Sequence, residues 1–164
     1  MTGGEALARQ LVREGVSQVF GVPGVQLDFA VDGLARSELT FVNTRHEQAA
    51  SYMADGAART TGDPGVCMVV PGPGLLNAMA GLSTAYACSS PVLCVAGQIP
   101  SNTLGRSLGM LHEVRDQSAI LGTVTKWTGS ARRAEDVPRL VNDAFKQLRS
   151  GRPQPVGIEI PPDV

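Results

Sequence analysis

Glu47 is a side chain that could move a proton. It stands in the run Arg45-His46-Glu47-Gln48-Ala49-Ala50, at the expected start of a helix. Taken alone it is an ordinary helix-start glutamate, because acidic residues in a first turn complement the helix dipole. His46 is one of two histidines, beside His112, and it has no second metal ligand at helical spacing. No Ser-His-Asp set and no Gly-x-Ser-x-Gly elbow is present. Gly72-Pro73-Gly74 resembles a phosphate loop only superficially. A dinucleotide fingerprint needs a third glycine where this chain has Asn77, and a P-loop needs Gly-Lys-Ser/Thr. On spacing alone it is a tight turn before a helix. Asp55 and Arg59, four residues apart, read as a helix ion pair.

Composition narrows the classes. A chain of 164 residues fits one domain with its own core. With 43% hydrophobic and 18% charged residues it has the makings of a folded domain. A net charge of −1 without a basic stripe leaves no footprint for nucleic acid, and 4% aromatics leave no stacking platform for bases. The apolar runs are far short of a bilayer span. The start, Met1-Thr2-Gly3-Gly4-Glu5, has no signal pattern. Three cysteines without motif spacing read as buried reduced thiols. Together these point to the cytoplasm.

The elements that must position Glu47 alternate along the chain. Thr2 and Glu5 have capping-box spacing and open a helix through Ala6, Leu7, Leu11 and Val12 to Glu14, stopped by Gly15. Strands are expected at Gln18–Gly21, Leu39–Asn43, Val66–Val70, Pro91–Ala96, Val124–Thr128 and Val156–Ile160. Helices are expected near Leu27–Leu34, His46–Thr61, Leu75–Ala87 and Glu135–Arg149, with Pro138 in the first turn of the last. The stretch Gly97–Gln117 gives no clear pattern. Strand and helix at this spacing predict an α/β fold: a doubly wound, mainly parallel sheet of about six strands, helices on both faces. Right-handed crossovers then gather Val22-Pro23-Gly24, Thr44–Glu47, Pro71–Gly74 and Gly97-Gln98 at the carboxyl edge, where such sheets bind ligands. The Ala/Gly-rich helix from Ser51 to Ala58 suits close packing against a sheet or a second subunit.

In order, Gly21-Val22-Pro23-Gly24, Arg45–Ala50, Ala54-Asp55-Gly56-Ala57-Ala58-Arg59, Gly72-Pro73-Gly74 with Asn77, Gly97-Gln98 and the closing Pro155–Val164 resemble one family. It is the N-terminal pyrimidine-binding domain of thiamine diphosphate enzymes, in the style of acetolactate synthases. The resemblance covers essentially the whole chain, as a single domain 1–164. It implies that Glu47 hydrogen-bonds N1′ of the aminopyrimidine and promotes the imino tautomer, whose nitrogen deprotonates thiazolium C2 for attack on a 2-oxo acid. Carbon dioxide then leaves, with the cofactor as electron sink. Such a glutamate needs a dry setting, which its neighbours must provide. Pro73 and Asn77 match positions lining the pyrimidine. Val22, Pro23 and Gly24 match a turn beside ring and substrate. Gln98 matches a position near the reacting centre.

The same resemblance implies that the pyrimidine domain of one subunit meets the diphosphate domain of another, in a homodimer or tetramer. Diphosphate and magnesium would be held by a Gly-Asp-Gly motif, which this chain lacks. The chain is therefore expected to be inactive alone, as a domain of a longer enzyme or the small subunit of a split one. Pro161-Pro162-Asp163-Val164 reads as the beginning of a linker. Departures bear on the substrate and leave Glu47 untouched: Pro71 replaces a usual Ser or Thr, Val22 a frequent Tyr, and Leu111-His112-Glu113 a Phe-Gln-Glu segment. The alternatives are a Rossmann-like nucleotide-binding domain and a non-catalytic assembly domain of the same fold.

Overall fold

The computed structural model describes residues 1–164. Helix α1 (Gly3–Arg13) opens on a capping box: Thr2 Oγ1 accepts from Glu5 N and Glu5 Oε2 accepts from Thr2 N, each at 3.2 Å. Then follow β1 (Gln18–Gly21), α2 (Asp28–Ala35), β2 (Thr40–Asn43), α3 (Glu47–Thr61), β3 (Gly65–Val69) and α4 (Pro73–Cys88). The second half holds β4 (Val92–Gly97), α5 (Gln117–Gly122), β5 (Trp127–Ser130), α6 (Val137–Arg149) and β6 (Val156–Ile160). None of the helices is long and apolar enough to cross a membrane.

The six strands form one sheet in the order β2-β1-β3-β4-β6-β5, and every neighbouring pair is parallel. Period-2 alternation divides its side chains between two cores. Val66, Met68, Leu93 and Val95 face α1, α2 and α6; Cys67, Val69, Cys94 and Ala96 face α3, α4 and Leu121 of α5. Because both faces are covered, β3 and β4 are buried throughout, which is why their sequences read as unbroken apolar runs.

The small residues of α3 serve the chain's own packing. A Cβ on Gly65 would lie 2.0 Å from the Ala54 carbonyl oxygen, and one on Gly81 2.3 Å from Ser51 Oγ. Backbones of β3 and α4 thus press onto the face carrying Ala50, Ala54 and Ala58, all buried. Gly56 alone among these glycines faces open space. Asp55 and Arg59 do pair, at 2.7 Å.

Two elements depart from expectation. Strand β5 begins at Trp127, three residues later than the expected Val124. Residues 123–125 belong to the exit of α5 instead: Thr123 Oγ1 donates to Ile120 O at 2.6 Å and Thr125 Oγ1 to Leu121 O at 2.8 Å. Helix α5 itself has six residues, too few to display a helical period. It rests on Asp116, whose Oδ1 accepts from Ala119 N at 2.9 Å. A 3-10 turn, Ala134–Asp136, precedes α6, which starts at Val137 with Pro138 in its first turn.

Candidate functional site

The strand order reverses between β1 and β3, since β2 lies on one side of β1 and β3 on the other. Loops leaving neighbouring strands part at such a point and open a crevice at the carboxyl edge. The turns Val22-Pro23-Gly24 and Pro71–Gly74 flank it, with the start of α3 beside them.

Glu47 is the first residue of α3. His46 caps that helix, its Nδ1 accepting from Gln48 N at 3.1 Å, so the imidazole has a structural task here. Thr44 fastens the same end: its N donates to Gly21 O at 2.8 Å and its Oγ1 to His46 O at 3.0 Å. The backbone carrying Glu47 is thereby tied to the end of β1. Across the crevice, Asn77 Nδ2 donates to Glu47 Oε2 at 2.9 Å. The other carboxylate oxygen, Oε1, makes no hydrogen bond within the chain and faces Gly74, where a Cβ would approach it to 3.5 Å.

Glycines leave this space open. A Cβ on Gly24 would meet Val70 Cγ1 at 2.5 Å, and one on Gly74 would meet Val70 Cγ2 at 2.5 Å. Val70 is thus wedged between the two turns as an apolar floor. Gly72 has φ +54°, and a Cβ there would stand 2.3 Å from the His112 carbonyl oxygen. Only glycine satisfies both demands. Pro23, Pro73 and Asn77 are exposed, while Val22 and Glu47 are half-buried. Of the residues singled out in sequence, the structure brings Glu47, Asn77 and Gly24 together around Gly74 and Val70, with Pro73 at the head of α4.

Gln98 lies apart from this cluster. Buried at the end of β4, it faces a groove of about 650 Å³ lined also by Gln117, Ser118, Glu159, Arg115 and Arg132. Gln98 Oε1 accepts from Ile99 N at 2.8 Å, and its Nε2 donates to Glu159 Oε1 at 3.2 Å. Gln117 Nε2 donates to the same Oε1 at 2.9 Å and to Gly97 O at 2.8 Å; Ser118 Oγ donates to Glu159 Oε2. Gln117 Oε1 in turn accepts from Gly72 N at 2.8 Å. One amide therefore joins the groove to the turn beside Glu47.

Glu159 and Gln117 were not singled out in the sequence. The signal for Glu159 was an acid inside the apolar run Val156–Ile160, a position that must find donors once the strand is buried. Gln117 ends the stretch without a readable pattern and gave no signal. Nowhere do His, Cys, Asp and Glu side chains gather in a set of three or more able to hold a metal.

Comparison with known proteins shows the family. Residues 1–120 match the family described as "Thiamine pyrophosphate enzyme, N-terminal TPP binding domain". The whole chain is 44% identical to the probable 2-ketoarginine decarboxylase AruI of Pseudomonas aeruginosa, spanning 29% of that protein. It is 40% identical, again over its whole length, to the probable acetolactate synthase large subunit of Methanocaldococcus jannaschii, spanning 27% of it. With the acetolactate synthase isozyme 1 large subunit of Escherichia coli it shares 38% identity over 99% of the chain and 29% of the relative. The chain thus spans less than a third of the length of these relatives. The match over residues 1–120 shows that the chain belongs to the thiamine pyrophosphate enzymes, as an N-terminal TPP-binding domain.

Proposed function

We propose that this domain binds the aminopyrimidine of thiamine diphosphate and activates it through Glu47, as one half of the active site of a 2-oxo acid decarboxylase or carboligase. The observation that carries the reading is the Glu47–Asn77 pair at the sheet's switch point. Asn77 occupies Oε2 and leaves Oε1 as the atom that can share a proton with a ring nitrogen. The residues fit a flat heterocycle. Gly24 and Gly74 keep the space above Val70 clear, and any side chain on either would fill it. Val22, Pro23 and Pro73 stand on the bordering turns, and Gln98, joined to the Pro71–Gly74 turn through Glu159 and Gln117, serves the reacting centre from the groove side. When bound, the cofactor supplies the electron sink for cleaving the bond to a substrate carboxylate.

The 2-oxo acid class is supported by relatives named for 2-ketoarginine decarboxylation and for acetolactate synthesis. In this reading residues 1–164 form a single pyrimidine domain. A partner subunit's diphosphate domain holds the diphosphate and magnesium, in a homodimer or tetramer. Cys67 and Cys94, buried as thiols on neighbouring strands, suit a cytoplasmic protein.

Glu47→Gln tests the proposal in the enzyme assembled with its diphosphate domain. Turnover should fall by roughly 10²- to 10⁴-fold, the usual contribution of a positioned acid or base. Circular dichroism should be unchanged. Turnover within a few-fold of the parent would remove Glu47 from its role.

A further inference from the structure

We infer that Glu159 is a positioning residue that locks the amide of Gln98 so that it offers an N–H, never its carbonyl, to the groove. The inference rests on the reading above that Gln98 stands near the reacting centre.

Glu159 is 2% exposed, on a strand buried on both faces. Burying a carboxylate is costly unless its oxygens are hydrogen-bonded. Here the partners are the two amides and Ser118 Oγ, all neutral, and no cation lies within salt-bridge distance. An apolar residue would satisfy the packing alone. What the acid adds is direction.

An amide can turn over and exchange its oxygen for its nitrogen at almost no cost in shape. Gln98 is held against this at both ends. Ile99 N–H requires an acceptor, which Oε1 provides at 2.8 Å. Glu159 Oε1 requires a donor, which Nε2 provides at 3.2 Å. Turned over, the amide would set its oxygen against a carboxylate oxygen and its N–H against a backbone N–H. Of the two N–H bonds on Nε2, one is committed to Glu159; the other has no partner within the chain, and Gln98 lines the groove.

A groove presenting a fixed amide N–H recognises an acceptor. The carboxylate or carbonyl oxygen of a 2-oxo acid is such a group, and a hydroxyl able to turn is a poorer match. Gln117 extends the same order to the neighbouring turn. All of its polar atoms are engaged, with Glu159, Gly97 and Gly72, so the acid that directs Gln98 also braces the turn leading into α4.

A double-mutant cycle in the assembled enzyme tests this. Gln98→Ala and Glu159→Ala should each lower kcat/KM by roughly 10- to 100-fold, the scale seen when an orienting partner is removed. If Glu159 acts through Gln98, adding Glu159→Ala to the Gln98→Ala protein should cost less than about threefold. Glu159→Gln should retain activity within a few-fold, because its carbonyl oxygen can still accept from both amides while its NH₂ meets Ser118 Oγ. Glu159→Met, of similar volume, takes the place of alanine should the alanine protein not fold. An equal loss with and without Gln98 overturns the inference and leaves the proposed function standing. So does a glutamine variant as impaired as the alanine one. Full activity of Gln98→Ala would remove Gln98 from the reacting centre and the inference with it, while Glu47→Gln reports separately on cofactor activation.

Discussion

Asn77 Nδ2 stands 2.9 Å from Glu47 Oε2, so the second turn of α4 holds the first residue of α3 across the crevice. This amide decides which carboxylate oxygen is free. Asn77→Ala should lower turnover roughly 10- to 100-fold, the value of one hydrogen bond to a charged group. Asn77→Asp should do worse at neutral pH. Two carboxylates at that distance share a proton, and the pair titrates as a unit. A kcat profile against pH reads the difference; superimposable profiles for the aspartate variant and the parent would contradict it.

Gly72→Ala should destabilise the fold by more than about 2 kcal/mol, since it adds backbone strain to a steric clash. The φ of +54° is poorly suited to alanine, and the new methyl would lie 2.3 Å from a backbone oxygen of the loop above. Thermal unfolding measures the change. Gly56→Ala is the control: it meets open space in mid-helix and should be neutral or stabilising.

Acid stability should depend on Glu14. Burial pushes its carboxyl up, but hydrogen bonds from Asn142, Gln10 and Arg149 together outweigh this and hold it below the usual glutamate range. A carboxylate depressed in the folded state contributes stability that is complete above its unfolded pKa of about 4.3 and is lost as pH falls through the folded value. Asn142 and Arg149 both reach Glu14 from α6 at 2.8 Å, so the loss loosens α6 from α1. Glu14→Gln should lower the melting temperature at neutral pH and flatten its decline below about pH 5. Parallel melting curves for parent and variant down to acid pH would argue against this.

The thiols should separate cleanly by reactivity. Cys67 and Cys94 are register partners on β3 and β4 and both are buried, whereas Cys88 is exposed. Hydrogen bonding to Cys67, then burial, pushes the Cys94 thiol well above its ordinary range. The thiolate is the reactive form. A disulfide reagent should therefore titrate Cys88 alone in the native chain and all three cysteines after denaturation. Rapid reaction of a second native thiol would contradict the packing.

Legibility followed burial. Gln18–Gly21 and Val156–Ile160 emerged with the bounds read from sequence, because strands covered on both faces leave an apolar run between turn residues. Helix α5 and the start of β5 did not, because six residues cannot show a period and Thr123 and Thr125 fold back on helix carbonyls. In the site, Glu47 was indistinguishable from a cap-region acid until motif order suggested more. Its partner Asn77 lies thirty residues away on another helix, a contact no local pattern encodes. The Glu159 network is hidden from the sequence for the same reason. Its donors come from the residue after β4 and from the first two residues of α5, a helix too short to show a period, and only the closed sheet brings them together.

Strand β6, last of the six in sequence, lies inside the sheet between β4 and β5. Until residues 156–160 leave the ribosome, β4 has an open edge and β5 has no neighbour at all. Long-range parallel pairing is slow to form in any case. The sheet must therefore close after synthesis of this segment, and Glu159, carried on the closing strand, gathers Gln98, Gln117 and Ser118 as it arrives. The order of the groove therefore depends on the pairing of β6 with β4, and a change that loosens this strand would disturb Gln98 from a distance.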